Sequence, residues 1–147
     1  MGFELIGFLG RSSALRAWES LLASAVACDL GGGLGMVPLT GALTAELRAR
    51  LGEKDAEGAA RRWAREASSN TAIGYFDIGE FGNQSHEEAR LWADGREILS
   101  RIGVRHILEY LRDREHLDVV ITPDDLEIYR GETAAEKWVA AELQRRP

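Results

Sequence analysis

The stretch Ile73 to Leu99, IGYFDIGEFGNQSHEEARLWADGREIL, constrains this chain more than any other. Thr71 to Phe81 is rich in β-formers, and Glu87 to Ala93 and Glu97 to Leu99 continue the pattern around Asp94-Gly95, a favoured two-residue hairpin turn. An antiparallel meander is therefore expected at the centre of the fold. Its strand parity puts Ile73, Tyr75, Asp77, Gly79 and Phe81 on one face and Ala72, Gly74, Phe76, Ile78 and Glu80 on the other. In the next strand Glu87, Ala89, Leu91 and Ala93 form the expected core face, which leaves His86, Glu88, Arg90 and Trp92 exposed.

The flanking segments supply a strand and helices. Phe3 to Leu9 is apolar on both faces, as a central strand would be, and Leu15, Trp18, Leu21, Leu22 and Ala25 recur at helical spacing for about three turns. Gly31-Gly32-Gly33 separates two short apolar runs as a hairpin tip. GGGLG lacks the spacing of a dinucleotide or P-loop phosphate cradle, and no Lys follows it. Thr40 or Thr44 caps a helix ended by Gly52, and Asp55 caps another through Trp63 that ends at Ser68-Ser69-Asn70.

Further on, Ile102 to Leu111 reads as a helix, and Val119 to Ile121 as a short strand or the approach to a short helix through Tyr129 that opens on Thr122-Pro123. Thr133 and Glu136 form a capping-box pattern for a last helix with Trp138, Val139 and Leu143 inward. These elements predict one α+β domain over residues 1–147, with a mostly antiparallel sheet of about five to six strands and helices packed on it. A ferredoxin-like core with a C-terminal helical extension is compatible with the order. At 147 residues the chain can bury a core without metal or disulfide support.

Charge narrows the partners. Eighteen Lys and Arg stand against 24 Asp and Glu, a net charge of -6, which is the wrong sign for binding a phosphate backbone. Nucleic acid is not expected, and Arg61, Arg62 and Arg65 alternate with Ala and Trp as a solvated helix face would. The N-terminal MGFELIGFLGRSS has no basic leader, and no apolar run approaches the ~20 residues of a membrane span, so no membrane role is expected and a cytoplasmic location is. The single cysteine, Cys28, lies in a small apolar run typical of buried thiols.

Chemistry-bearing residues concentrate in the central stretch. Tyr75, Asp77, Glu80, Phe81, His86, Glu88 and Trp92 are the candidate binding residues, and a pocket around Asp77, Glu80, His86 and Trp92 would serve a small molecule or acid-base catalysis. No catalytic constellation is complete: there is no GxSxG elbow, and His86, His106 and His116 come from separate elements without a metal-ligand spacing. No metal or cofactor is therefore expected. The favoured expectation is a non-enzymatic protein-binding module that meets a basic surface or a second copy of itself, a homodimer having Trp92 at its centre.

The box Tyr75-x-Asp77-x-x-x-Phe81-Gly82, followed by Ala89-x-x-Trp92-x-Asp94-Gly95, resembles one found in a family of small uncharacterised bacterial α+β proteins. Leu5-Ile6-Gly7 and the arrangement ending at Trp138 look similar as well, while Gly79, Asn83 and Glu87 stand where an acid, a second glycine and Gln are usual. The resemblance implies no established reaction. What it suggests is a binding role of the immunity or antitoxin kind.

Overall fold

The computed structural model describes residues 2–147 and has one six-stranded sheet, ordered β2-β3-β1-β4-β5-β6. Its strands are β1 (Phe3–Arg11), β2 (Cys28–Asp29), β3 (Leu34–Pro38), β4 (Ile73–Phe81), β5 (Gln84–Ala93) and β6 (Arg96–Ile102). Helices α1 (Ser12–Ala17), α2 (Gly41–Leu51) and α3 (Ala56–Ala67) lie on one face, and α4 (Val104–Glu115) and α5 (Ala134–Arg145) on the other. The α+β class, the single mostly antiparallel sheet and the helices packed on it are as the sequence predicts. The ferredoxin-like order is not realised: it needs a parallel strand pair in a split βαβ, whereas every pair within this sheet is antiparallel.

Alternation along β1 and β4 builds two cores from one sheet. Phe3, Leu5 and Leu9 join Phe76 and Ile78 under α4 and α5, while Phe8 joins Ile73 and Tyr75 under α1, α2 and α3. The second core is aromatic: Trp18 meets Phe8 edge-on at 5.2 Å and Trp63 edge-on at 5.7 Å. Close approach of α4 needs a glycine beneath it, because a Cβ on Gly74 would lie 2.6 Å from Ile107 Cγ2. Burial on both faces also corrects the expected exposure of β5. Ala89, Leu91 and Ala93 do face a core, but Arg90 and Trp92 are 8% and 3% exposed because α3 covers the opposite face.

Local signals set most element ends. The Thr40 hydroxyl accepts from Leu43 N at 3.1 Å, Asp55 accepts from Gly58 N at 2.9 Å, and Gly52 closes α2 at φ +66°. Asp94 and Gly95 both take positive φ, as a two-residue hairpin turn requires. Thr122 and Asp125 form a reciprocal capping box, although the element it opens is a 3-10 turn over Pro123–Glu127 and Val119 to Ile121 is no strand.

Three further helix expectations change. The first helix is shorter, passing from α1 into a 3-10 turn at Trp18–Ser20 that tucks Trp18 and Leu22 inward and leaves Leu21 exposed. α4 begins later and ends later, with Glu87 Oε2 on β5 accepting from Val104 N at 2.8 Å and His116 in the left-handed region closing it. In α5 Glu136 does not close its own capping box but accepts from Gly41 N at the start of α2, and Leu143 is exposed while Glu142 turns inward. Buried Glu142 accepts from Asp29 N at 3.0 Å and from Arg145 and Arg146, and Arg146 bridges on to Glu19.

Glu115 plays a similar part at the end of α4. Its carboxylate accepts from Thr71 Oγ1 at 2.8 Å, Ala72 N at 3.3 Å and Arg11 Nε at 3.4 Å, joining α4 to β1 and the start of β4. Replacing Glu115 by Ala leaves the buried Ala72 amide unpaired and should cost about 2 kcal/mol in denaturant unfolding. Burial, with Glu142 nearby, pushes the Cys28 thiol up to about 12. Its alkylation at pH 8 should therefore run ~100-fold or more slower in the native chain than in denaturant.

Candidate functional site

β4 and β5 outrun the helical layers. Phe81 to Glu88 are exposed without a break, and the Gly82-Asn83 tip of this hairpin extends as a ribbon past the last β1–β4 pair at Glu80. The register places Glu4 opposite Gly79 and Gly79 opposite His86 on one rung, and Ile6, Asp77 and Glu88 on another. Directly paired residues share a face, so Glu4, Asp77, His86 and Glu88 all lie on the side of α2 and α3. Asp77 and Glu80 point to opposite sides, and the unbroken β4–β5 register contains no bulge at Gly79.

Gly79 nonetheless shapes the site. A Cβ there would lie 2.5 Å from His86 Cε1 and 3.0 Å from Phe3 O, so the His86 ring occupies the space that any side chain at 79 would fill. From there His86 Nε2 reaches Asp77 Oδ1 at 2.9 Å along the cross-strand diagonal. The Glu4 carboxylate joins them from β1, and one ligand atom from each of Glu4, Asp77 and His86 lies within 4.8 Å of the others. Glu88 is drawn away, pairing with Arg90 Nη2 at 3.2 Å.

A groove of about 490 Å³ runs from this cluster toward the helices, lined by Glu4, Ile6, Tyr75 and Asp77 from the sheet and by Thr44, Arg48 and Glu57 from α2 and α3. Tyr75 is 4% exposed, and its burial, together with the charges of Asp77 and Glu57, pushes the phenol well above its ordinary value. It enters the groove as a neutral hydroxyl.

The predicted residues therefore divide. Tyr75, Asp77 and His86 come together with Glu4, which strand parity alone does not single out. Glu80 faces the other side of the sheet, beside Glu127, whose carboxyl is raised by burial and by Asp124, Glu80 and Glu87 around it. Phe81 is 48% exposed at the ribbon tip. Trp92 pairs with Ile73, four rungs or about 13 Å from Asp77, so no single pocket holds Asp77, Glu80, His86 and Trp92. Being buried, Trp92 also offers no exposed centre for a self-association surface. A second groove of about 610 Å³ beside it gathers Arg61, Arg62, Arg65 and Arg96, with Glu53 and Glu97 pairing two of them.

The expected absence of a metal-ligand pattern rests on the three histidines. His106 instead pairs with Glu109 on α4, and His116 caps that helix. The only cluster of three such ligands among the described residues combines one histidine with two acids from neighbouring strands. Glu4 carries a signal of its own, as the one charged residue in the apolar run Phe3 to Leu9.

Gly79→Ala should push the imidazole off Asp77. The NMR shifts of the His86 ring should then move while those of His106 and His116 stay, and unchanged His86 shifts would show that Gly79 does not seat the ring.

No helix among the described residues is long and apolar enough to cross a membrane. Comparison of the chain with protein-family models, with curated proteins and with solved structures finds no match.

Proposed function

We propose that the chain is a non-enzymatic protein-binding module that presents the β4–β5 ribbon to a basic surface on its partner, as an immunity or antitoxin protein would. The observation that carries this reading is the ribbon's one-sided chemistry: between Arg65 and Arg90 there is no Lys or Arg, and Phe81 to Glu88 are exposed throughout. Asp77 and Glu4 supply negative charge on one face, and Glu80, Glu87 and Glu127 on the other. Long-range attraction from such a surface speeds encounter with a basic partner.

Phe81 supplies what charge lacks. Half-exposed at the tip of an acidic ribbon, an aromatic ring is the kind of anchor that carries much of the energy of a protein interface once it is desolvated. An acidic rim around an aromatic centre gives both steering and hold. The tip from Phe81 to Ser85 is exposed residue by residue, so a partner can reach it.

A photo-crosslinking phenylalanine analogue at position 81, incorporated in the source cell, tests this. One adduct of discrete mass should form, weaken as salt rises from about 0.05 to about 0.5 M, and be absent when the same analogue stands at exposed Val120. Phe81→Ala should lower affinity for the captured partner by roughly tenfold or more. An analogue at 81 that captures nothing discrete would overturn the proposal.

A further inference from the structure

We propose that Glu4, Asp77 and His86 bind a divalent transition-metal cation at the open end of the sheet, independently of any protein partner. Their donor atoms lie within 4.8 Å of one another, and they come from three neighbouring hydrogen-bonded strands, so the backbone positions of all three are held by the ladder. Bond lengths of about 2.0–2.2 Å to imidazole nitrogen and carboxylate oxygen put neighbouring donors roughly 3–4 Å apart, which rotation of the exposed Glu4 side chain reaches. One nitrogen and two oxygens suit zinc, manganese or ferrous iron better than a cation that prefers oxygen alone.

The charge balance points the same way. Two carboxylates are brought beside each other, and among the described residues neither Glu4 nor Asp77 forms an ion pair with an arginine or lysine. His86 alone stands between them. A cation would offset the repulsion between the two carboxylates.

Tyr75 adds a polar group to the site. It is 4% exposed, it lines the groove that Glu4 and Asp77 also line, and its hydroxyl has no hydrogen-bond partner among the described residues. The hydroxyl opens into the groove and is free to take one there. Water or a small anion on an open coordination position of the cation would supply it, with Thr44 and Arg48 across the groove to favour an anionic oxygen.

Isothermal titration of the untagged, chelator-treated full chain with zinc and with manganese tests the site, with magnesium as the comparison. One equivalent of zinc or manganese should bind, more tightly than magnesium. His86→Ala and Asp77→Asn should each weaken binding by roughly tenfold or more, and His106→Ala should leave it unchanged. Substoichiometric manganese should broaden the His86 ring resonances ahead of those of His106 and His116. Circular dichroism checks each variant, and Glu4→Gln, at an exposed position, replaces any that fails to fold. Absence of binding at about millimolar metal, or binding that survives loss of His86 and Asp77, would overturn the proposal.

Discussion

The pairing of β4 with β1 on one side and β5 on the other is the constraint on which the rest of this structure depends. β4 runs nine residues, and its alternating side chains enter two different cores. A one-residue slip against either neighbour would send Phe76 and Ile78 to the aromatic core and Tyr75 and Ile73 to the other, so both cores oppose it. The same register brings Glu4 and His86 to either side of Gly79. Packing in the covered half of the sheet thus positions chemistry in its uncovered half.

Four acids, two of them buried, then tie the layers together. Glu115 joins α4 to β1 and β4, Glu142 joins α5 to β2, Glu136 joins α5 to α2, and Glu87 anchors α4 to β5. Each accepts a backbone amide, and at the starts of α2 and α4 those amides have no partner within the helix. Part of the chain's acidity is therefore structural. Glu4, Asp77 and Glu80, none of them paired with Arg or Lys among the described residues, lie at the open end of the sheet.

Local order is legible in the sequence where a residue acts within its own turn. Thr40, Asp55, Gly52, the triple glycine and Asp94-Gly95 all do what their chemistry predicts, and strand parity correctly separates Asp77 from Glu80. Glu136 shows where that reasoning ends, because its partner is the amide of Gly41, far away in sequence, and no local pattern distinguishes that use from a capping box. Trp92 and Arg90 mislead for a related reason: a polar-alternating strand reads as half-exposed until a second helical layer, here α3, is known to cover it. Glu4 escapes notice because its neighbours in space are set by β1–β4 pairing, which periodicity does not reveal.

The rung at Gly79 is central, since the ribbon's faces, the His86 ring and the Glu4 carboxylate all depend on it. Cross-strand proton NOEs in the labelled chain measure it directly. The register predicts contacts of Gly79 with both Glu4 and His86, and of the His86 ring with Asp77. Contacts of His86 with Ile78 or Glu80 as its direct cross-strand partner would place the ring on the other face and contradict it.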